Sequence, residues 1–92
     1  MNINFSKQAA CAARDLQPKP ARQIAARIAK LAVDPRPKDS KKLHGLDCLR
    51  VDSGEYRILY WLGEEEGEVV LNIEAIGKRN DNEVYRKQKR KQ

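Results

Sequence analysis

Three arginines carry the chemistry that can be read from this chain. Arg50 and Arg57 lie in RVDSGEYRILYW (50–61), which alternates like a strand, breaks at Ser53-Gly54 and alternates again. Period-two alternation on both sides of a small residue and a glycine predicts a β-hairpin. With Ser53 and Gly54 as the turn, residue 51 pairs with 56, 50 with 57, 49 with 58 and 48 with 59. Arg50 then faces Arg57, and like charges placed directly opposite destabilise a sheet. In one reading, Asp52 and Glu55 neutralise the pair through exposed ion pairs worth about 0–1 kcal/mol each. In the other, the two guanidiniums form a fork that grips a phosphate bidentately. Arg79 tips the choice toward an oxyanion clamp, because it follows a third apolar strand and can reach the same face.

Fewer signals come from the other reactive residue types. Cys11 and Cys48 are far apart, with no CxxC or CxxH spacing. With one histidine, His44, they do not make a structural zinc site within one chain. Both cysteines read as small buried or half-buried fillers, and His44 as a surface residue of the loop before the sheet. Neither a metal nor a cofactor is expected. Trp61 falls on the arginine face, where it either stacks a base or is partly buried at an edge. The formal net charge is +6. Its distribution is uneven: Lys78, Arg79, Arg86, Lys87, Lys89, Arg90 and Lys91 crowd the C-terminal end, whereas Glu64, Glu65, Glu66 and Glu68 cluster before it. Such asymmetry suits a polyanionic partner, nucleic acid or an acidic protein.

The elements that must position these residues follow from periodicity and punctuation. At 92 residues, 40% hydrophobic and 35% charged, the chain suits one domain over 1–92 that buries roughly 60–68% of its unfolded surface. No apolar run approaches the ~20 residues of a bilayer span, and MNINFSKQAA lacks the pattern of a secretory signal. A cytoplasmic protein without a membrane partner is expected. A short strand at 2–5 precedes a helix capped by Ser6. QPKP (17–20) ends that helix and opens a second, whose stripe is Ile24, Ile28, Leu31 and Ala32. Asp34-Pro35-Arg36-Pro37 stops it. After a basic loop over 38–45 come strands at 48–52, 55–62 and 68–77, the last two joined by the longer loop GEEEG. A final helix over about 81–90 begins at Asp81. The expected class is α+β: an N-terminal helical hairpin packed on a small antiparallel β-sheet, in the order β-α-α-β-β-β-α. The hairpin's core face is Leu49, Val51, Tyr56, Ile58 and Tyr60. Its other face is Cys48, Arg50, Asp52, Glu55, Arg57, Leu59 and Trp61. A one-residue register slip would exchange the two sets.

Three stretches, KKLHGLDCLRV (41–51), GEYRILYWL (54–62) and IGKRNDNEVYRK (76–87), carry a resemblance to the RelE/ParE superfamily of type II toxin–antitoxin systems, and specifically to its RelE branch. The order of elements is similar over nearly the whole chain. The resemblance implies a RelE-like fold and a ribosome-dependent mRNA endoribonuclease cutting in the A site. The RNA's own 2′-hydroxyl would attack the adjacent phosphate, without a metal. It also implies a cognate antitoxin as partner, beside the ribosome and mRNA. On this resemblance Arg57 and Arg79 match the phosphate-stabilising arginines, and Tyr85 the tyrosine that orients the nucleotide. Arg50 stands where a lysine is common. Lys41, Lys42, Lys78, Arg86, Lys87 and Trp61 become RNA contacts that position without selecting sequence. Asp52 departs from the pattern by replacing a basic residue. It is either a general base, a role also open to Glu55, or a turn-opening partner of Arg50. A gyrase-inhibiting toxin of the ParE kind, or a non-catalytic RNA- or ribosome-binding module, are the alternatives.

Overall fold

The computed structural model describes residues 2–43 and 48–79. The expected helix over 81–90, with Tyr85, Arg86 and Lys87, lies outside the described residues, as does His44.

β1 (Asn2–Phe5) leads directly into α1 (Lys7–Arg14). Ser6 makes the junction: its Oγ accepts from the Ala9 N–H at 3.0 Å, satisfying one of the free donors of the first turn. Alanine at 9 lets the helix lie close against the sheet, and Ala9 is fully buried. α2 (Pro18–Val33) opens on prolines in its first turn, where a missing N–H costs nothing. Ile24, Ile28 and Leu31 form its buried stripe, as the spacing predicted.

The sheet comprises β1, β2 (Lys41–Lys42), β3 (Leu49–Ser53), β4 (Tyr56–Glu65) and β5 (Glu68–Lys78) in the spatial order β1-β5-β4-β3-β2. Two helices on such a sheet give the expected α+β class. The sheet is mixed rather than wholly antiparallel, because β1 pairs with β5 in parallel. Beyond the end of β1, Gln8 serves as a substitute neighbour for the same strand. Its amide donates to the Ile76 carbonyl at 3.3 Å and accepts from the Ile76 N–H at 3.2 Å. The helices cover one sheet face, where Ile24, Ile28 and Leu31 meet Val51, Ile58, Tyr60, Leu71, Ile73 and Ile76. Tyr60 is fully buried, and its hydroxyl donates to the Pro35 carbonyl at 2.7 Å. That bond ties the chain leaving α2 to the central strand.

The expected register of the first hairpin requires correction. Ser53 pairs with Tyr56, so the turn is Gly54-Glu55, with Gly54 at φ +59°. A two-residue hairpin with a positive φ at its first central position favours glycine there over serine. The expected turn would have put Ser53 in that position. Moving the turn by one residue changes each partner by two, so every side chain keeps its face. What changes is the neighbour of Arg57, which is Asp52 instead of Arg50. The second hairpin is also tighter than expected. Its strands continue through GEEEG to a two-residue turn at Glu66-Gly67, at φ 52° and 81°. The basic loop likewise contributes the short edge strand β2. Among the described residues, no helix is long and apolar enough to cross a membrane.

Candidate functional site

The site lies on the sheet face turned away from the helices, near the first hairpin turn. Asp52 on β3 and Arg57 on β4 are direct cross-strand partners. Arg57 donates its Nε–H to Asp52 Oδ1 at 2.8 Å. From the other side, Arg79 Nε approaches Asp52 Oδ2 at 3.5 Å. Arg79 is held there by its backbone, whose N–H donates to the Glu55 carbonyl at 2.8 Å and carries the pairing of β5 up to the hairpin turn. Arg50 is two residues before Asp52 on the same strand, so alternation puts it on the same face. The guanidiniums at 57 and 79 therefore both engage one carboxylate, and Arg50 shares its face.

Electrostatics follow the geometry. The Arg57 hydrogen bond, with the charges of Arg57, Arg79 and Arg50, holds the Asp52 carboxyl below its usual range, against the opposing effect of partial burial. Asp52 is thus a firmly ionised counter-ion. A carboxylate whose basicity is depressed this way is a poor proton acceptor at neutral pH. Glu55, Arg57, Lys78 and Arg79 line an open cavity of about 470 Å³ beside the cluster. This is a concave, cationic site that fits an anion and presents Glu55 at its margin.

The remaining candidates are distributed less compactly. Lys41 pairs with Arg50 and shares its face, so it extends the cationic surface toward the sheet edge. Lys42 pairs with Leu49 and turns to the opposite face. Together with Arg36, Cys48, Leu49, Trp61 and Leu62 it lines a separate pocket of about 110 Å³. The two lysines that are adjacent in sequence therefore serve different surfaces. Lys78 is exposed at the end of β5, at the cavity. Trp61 is 39% exposed, and its indole N–H donates to Glu74 Oε2 at 3.2 Å. It sits four residues from Arg57 along β4, roughly 13 Å at strand spacing. Between them Leu59 and Ala75 are buried beneath Leu43. The structure thus separates Trp61 from the arginine cluster. The signal for Leu43 is Leu59, an aliphatic side chain between charged neighbours on this face that something apolar must cover.

No protein-family model matches the chain, and no curated protein does. Its fold is that of solved toxin structures. An archaeal RelE–RelB complex from Pyrococcus horikoshii OT3 superposes with a TM-score of 0.71 at 25% identity, covering 86% of this chain and 94% of that one. An arginine-to-alanine double mutant of E. coli RelE, bound to an antitoxin RelB peptide, gives 0.70 at 26% identity over 95% and 92% of the two chains. The free double mutant gives 0.78 at 22% identity, over 98% and 95%. The chain is thus an α+β protein with the RelE fold and a cationic site on the sheet face opposite α1 and α2. It is a RelE-like member of the RelE/ParE toxin superfamily.

Proposed function

We propose that this chain is the toxin of a type II toxin–antitoxin system and cleaves mRNA in the ribosomal A site. The observation that carries the reading is the convergence of Arg50, Arg57 and Arg79 from two separate strands and a strand end around one anionic position. The RelE fold supports it. In the reaction, the 2′-hydroxyl gives up its proton to water and its oxygen forms a bond to the adjacent phosphorus while the P–O5′ bond breaks. The products are a 2′,3′-cyclic phosphate and a free 5′-hydroxyl, which receives a proton. Negative charge accumulates on the non-bridging oxygens, and preorganised guanidiniums aimed at that charge lower the barrier. Arg57 and Arg79 are the charge-stabilising pair, with Arg50 and Lys41 adding to the field. Tyr85, by resemblance, orients the nucleotide. A cognate antitoxin, acidic or amphipathic, silences the activity by covering the cationic face or binding beside it.

The test uses purified ribosomes carrying a defined mRNA with an open A site. The expected result is a single cut in the A-site codon with 2′,3′-cyclic phosphate and 5′-hydroxyl ends. Intact mRNA, combined with inhibition of gyrase supercoiling in a ribosome-free assay, would transfer the protein to the ParE mode of action.

A further inference from the structure

Asp52 occupies the place an anion should take. Its two oxygens face the Nε atoms of Arg57 and Arg79 at 2.8 Å and 3.5 Å. Carboxylate and phosphate satisfy the same guanidinium fork, so an RNA phosphate and Asp52 compete for the same donors. The two partners are not equally anchored. The Arg57 side chain is 16% exposed and the Asp52 side chain 39%, so the carboxylate is the member that can turn out to water while the guanidinium stays.

Resting on the RNA-cleaving reading above, we propose that Asp52 is a built-in stand-in for the phosphate, which must be displaced before the arginines grip RNA. The consequence is selectivity between ground state and transition state. A phosphodiester carries one negative charge, as the carboxylate does, so exchanging one for the other gains little. A phosphorane-like transition state carries more negative charge and gains from the same arginines. Interactions stronger in the transition state than in the ground state raise the rate, whereas equal binding of both only lowers KM. Asp52 therefore keeps the site from holding free RNA, and leaves engagement to RNA that another surface has already positioned. In this role Asp52 is a specificity-setting residue.

The experiment measures binding of a short single-stranded RNA, made uncleavable by 2′-O-methylation, to the full chain as a function of salt. Asp52→Asn keeps the shape of the side chain and removes its charge. The expected tightening is on the order of five- to tenfold at low salt, the scale of one unit charge at contact distance in water. The log–log salt slope should steepen by about 0.7, one further phosphate neutralised on a single strand. Asp52→Glu should bind as weakly as the parent. Glu64→Gln, which makes the same change in net charge at the far end of β4, should tighten binding much less. Equal affinity and slope for Asp52→Asn and the parent chain overturn the proposal, and so does equal tightening by Glu64→Gln. Should Asp52→Asn fail to fold, the parent chain still decides: the Arg57 Nε–H resonance should shift on titration with inorganic phosphate, and no shift at saturating phosphate overturns the idea. Tightened RNA binding by Asp52→Asn in a protein that never cuts mRNA on ribosomes would retain this proposal and remove the nuclease reading. Cleavage that depends on Arg57, with unchanged RNA binding by Asp52→Asn, would do the reverse.

Discussion

Arg57→Ala separates a catalytic guanidinium from a surface ion pair. The substitution deletes the donor at 2.8 Å from Asp52 Oδ1 and the side chain that links β4 to the cluster. Its effect on stability is small. Asp52 is 39% exposed and retains Arg79 at 3.5 Å, so its carboxylate is solvated rather than stranded. A loss of about 1–2 kcal/mol is expected from the partly buried pair and the buried part of the arginine stem. On the proposed nuclease reading, the expected effect on rate is large. Removing one preorganised donor from a developing oxyanion costs about 10²–10³ in rate, about 2.7–4 kcal/mol of transition-state stabilisation. Arg57→Lys keeps the charge without the planar fork and should fall between the two. Single-turnover cleavage on programmed ribosomes gives the rates, thermal unfolding gives the stability, and binding to the cognate antitoxin checks the surface. A folded Arg57→Ala protein that cuts within about fivefold of the parent rate, far from the loss a donor deletion brings, would refute the assignment of Arg57 to the reacting phosphate.

Other expectations test the frame around the site. Tyr60→Phe removes the hydroxyl that donates to the Pro35 carbonyl at 2.7 Å and should cost about 1–2 kcal/mol in denaturant unfolding. Ile58→Ala, at a fully buried position beneath the helices, should cost about 2–5 kcal/mol by the same measurement. Gly54→Ala places a Cβ at φ +59°, with the Gln23 Oε1 3.0 Å away, and should lose about 1–2 kcal/mol from the left-handed backbone alone. Asp52 has a folded-state pKa below its ordinary 3.8. Its contribution to stability is therefore complete above the unfolded value and disappears as pH falls through the folded one. Acid titration of unfolding should show the Asp52→Asn protein losing less stability below about pH 4 than the parent, with the two curves parallel above it.

The site was legible in part because side-chain alternation in a strand has period two. Arg50, Asp52 and Arg57 share a face in any hairpin that buries Val51, Ile58 and Tyr60, and the structure buries all three. Alternation does not distinguish registers that differ by two, so the expected Arg50–Arg57 facing pair and the observed Asp52–Arg57 pair were equally compatible with a coherent core. The turn decided between them, through Gly54, which takes φ +59° without the steric cost a Cβ brings. Lys41 and Lys42 illustrate the same limit: no periodicity can be read from two residues, and only pairing with β3 assigns Lys41 to the arginine face and Lys42 to the other.

Local chemistry was enough for the elements themselves. Ser6 caps α1, paired prolines open α2, and the apolar stripe of α2 names its buried face, because each depends on residues a few positions away. The parallel pairing of β1 with β5 and the seating of Arg79 on the Glu55 carbonyl join residues far apart in the chain. So does the Leu43 cover over Leu59 and Ala75. By itself the sequence determined which side chains share a sheet face and which stripe of α2 is buried. Only tertiary structure decided that the arginines close around Asp52, because the distance between two charges depends on strand register and edge pairing, which periodicity leaves open.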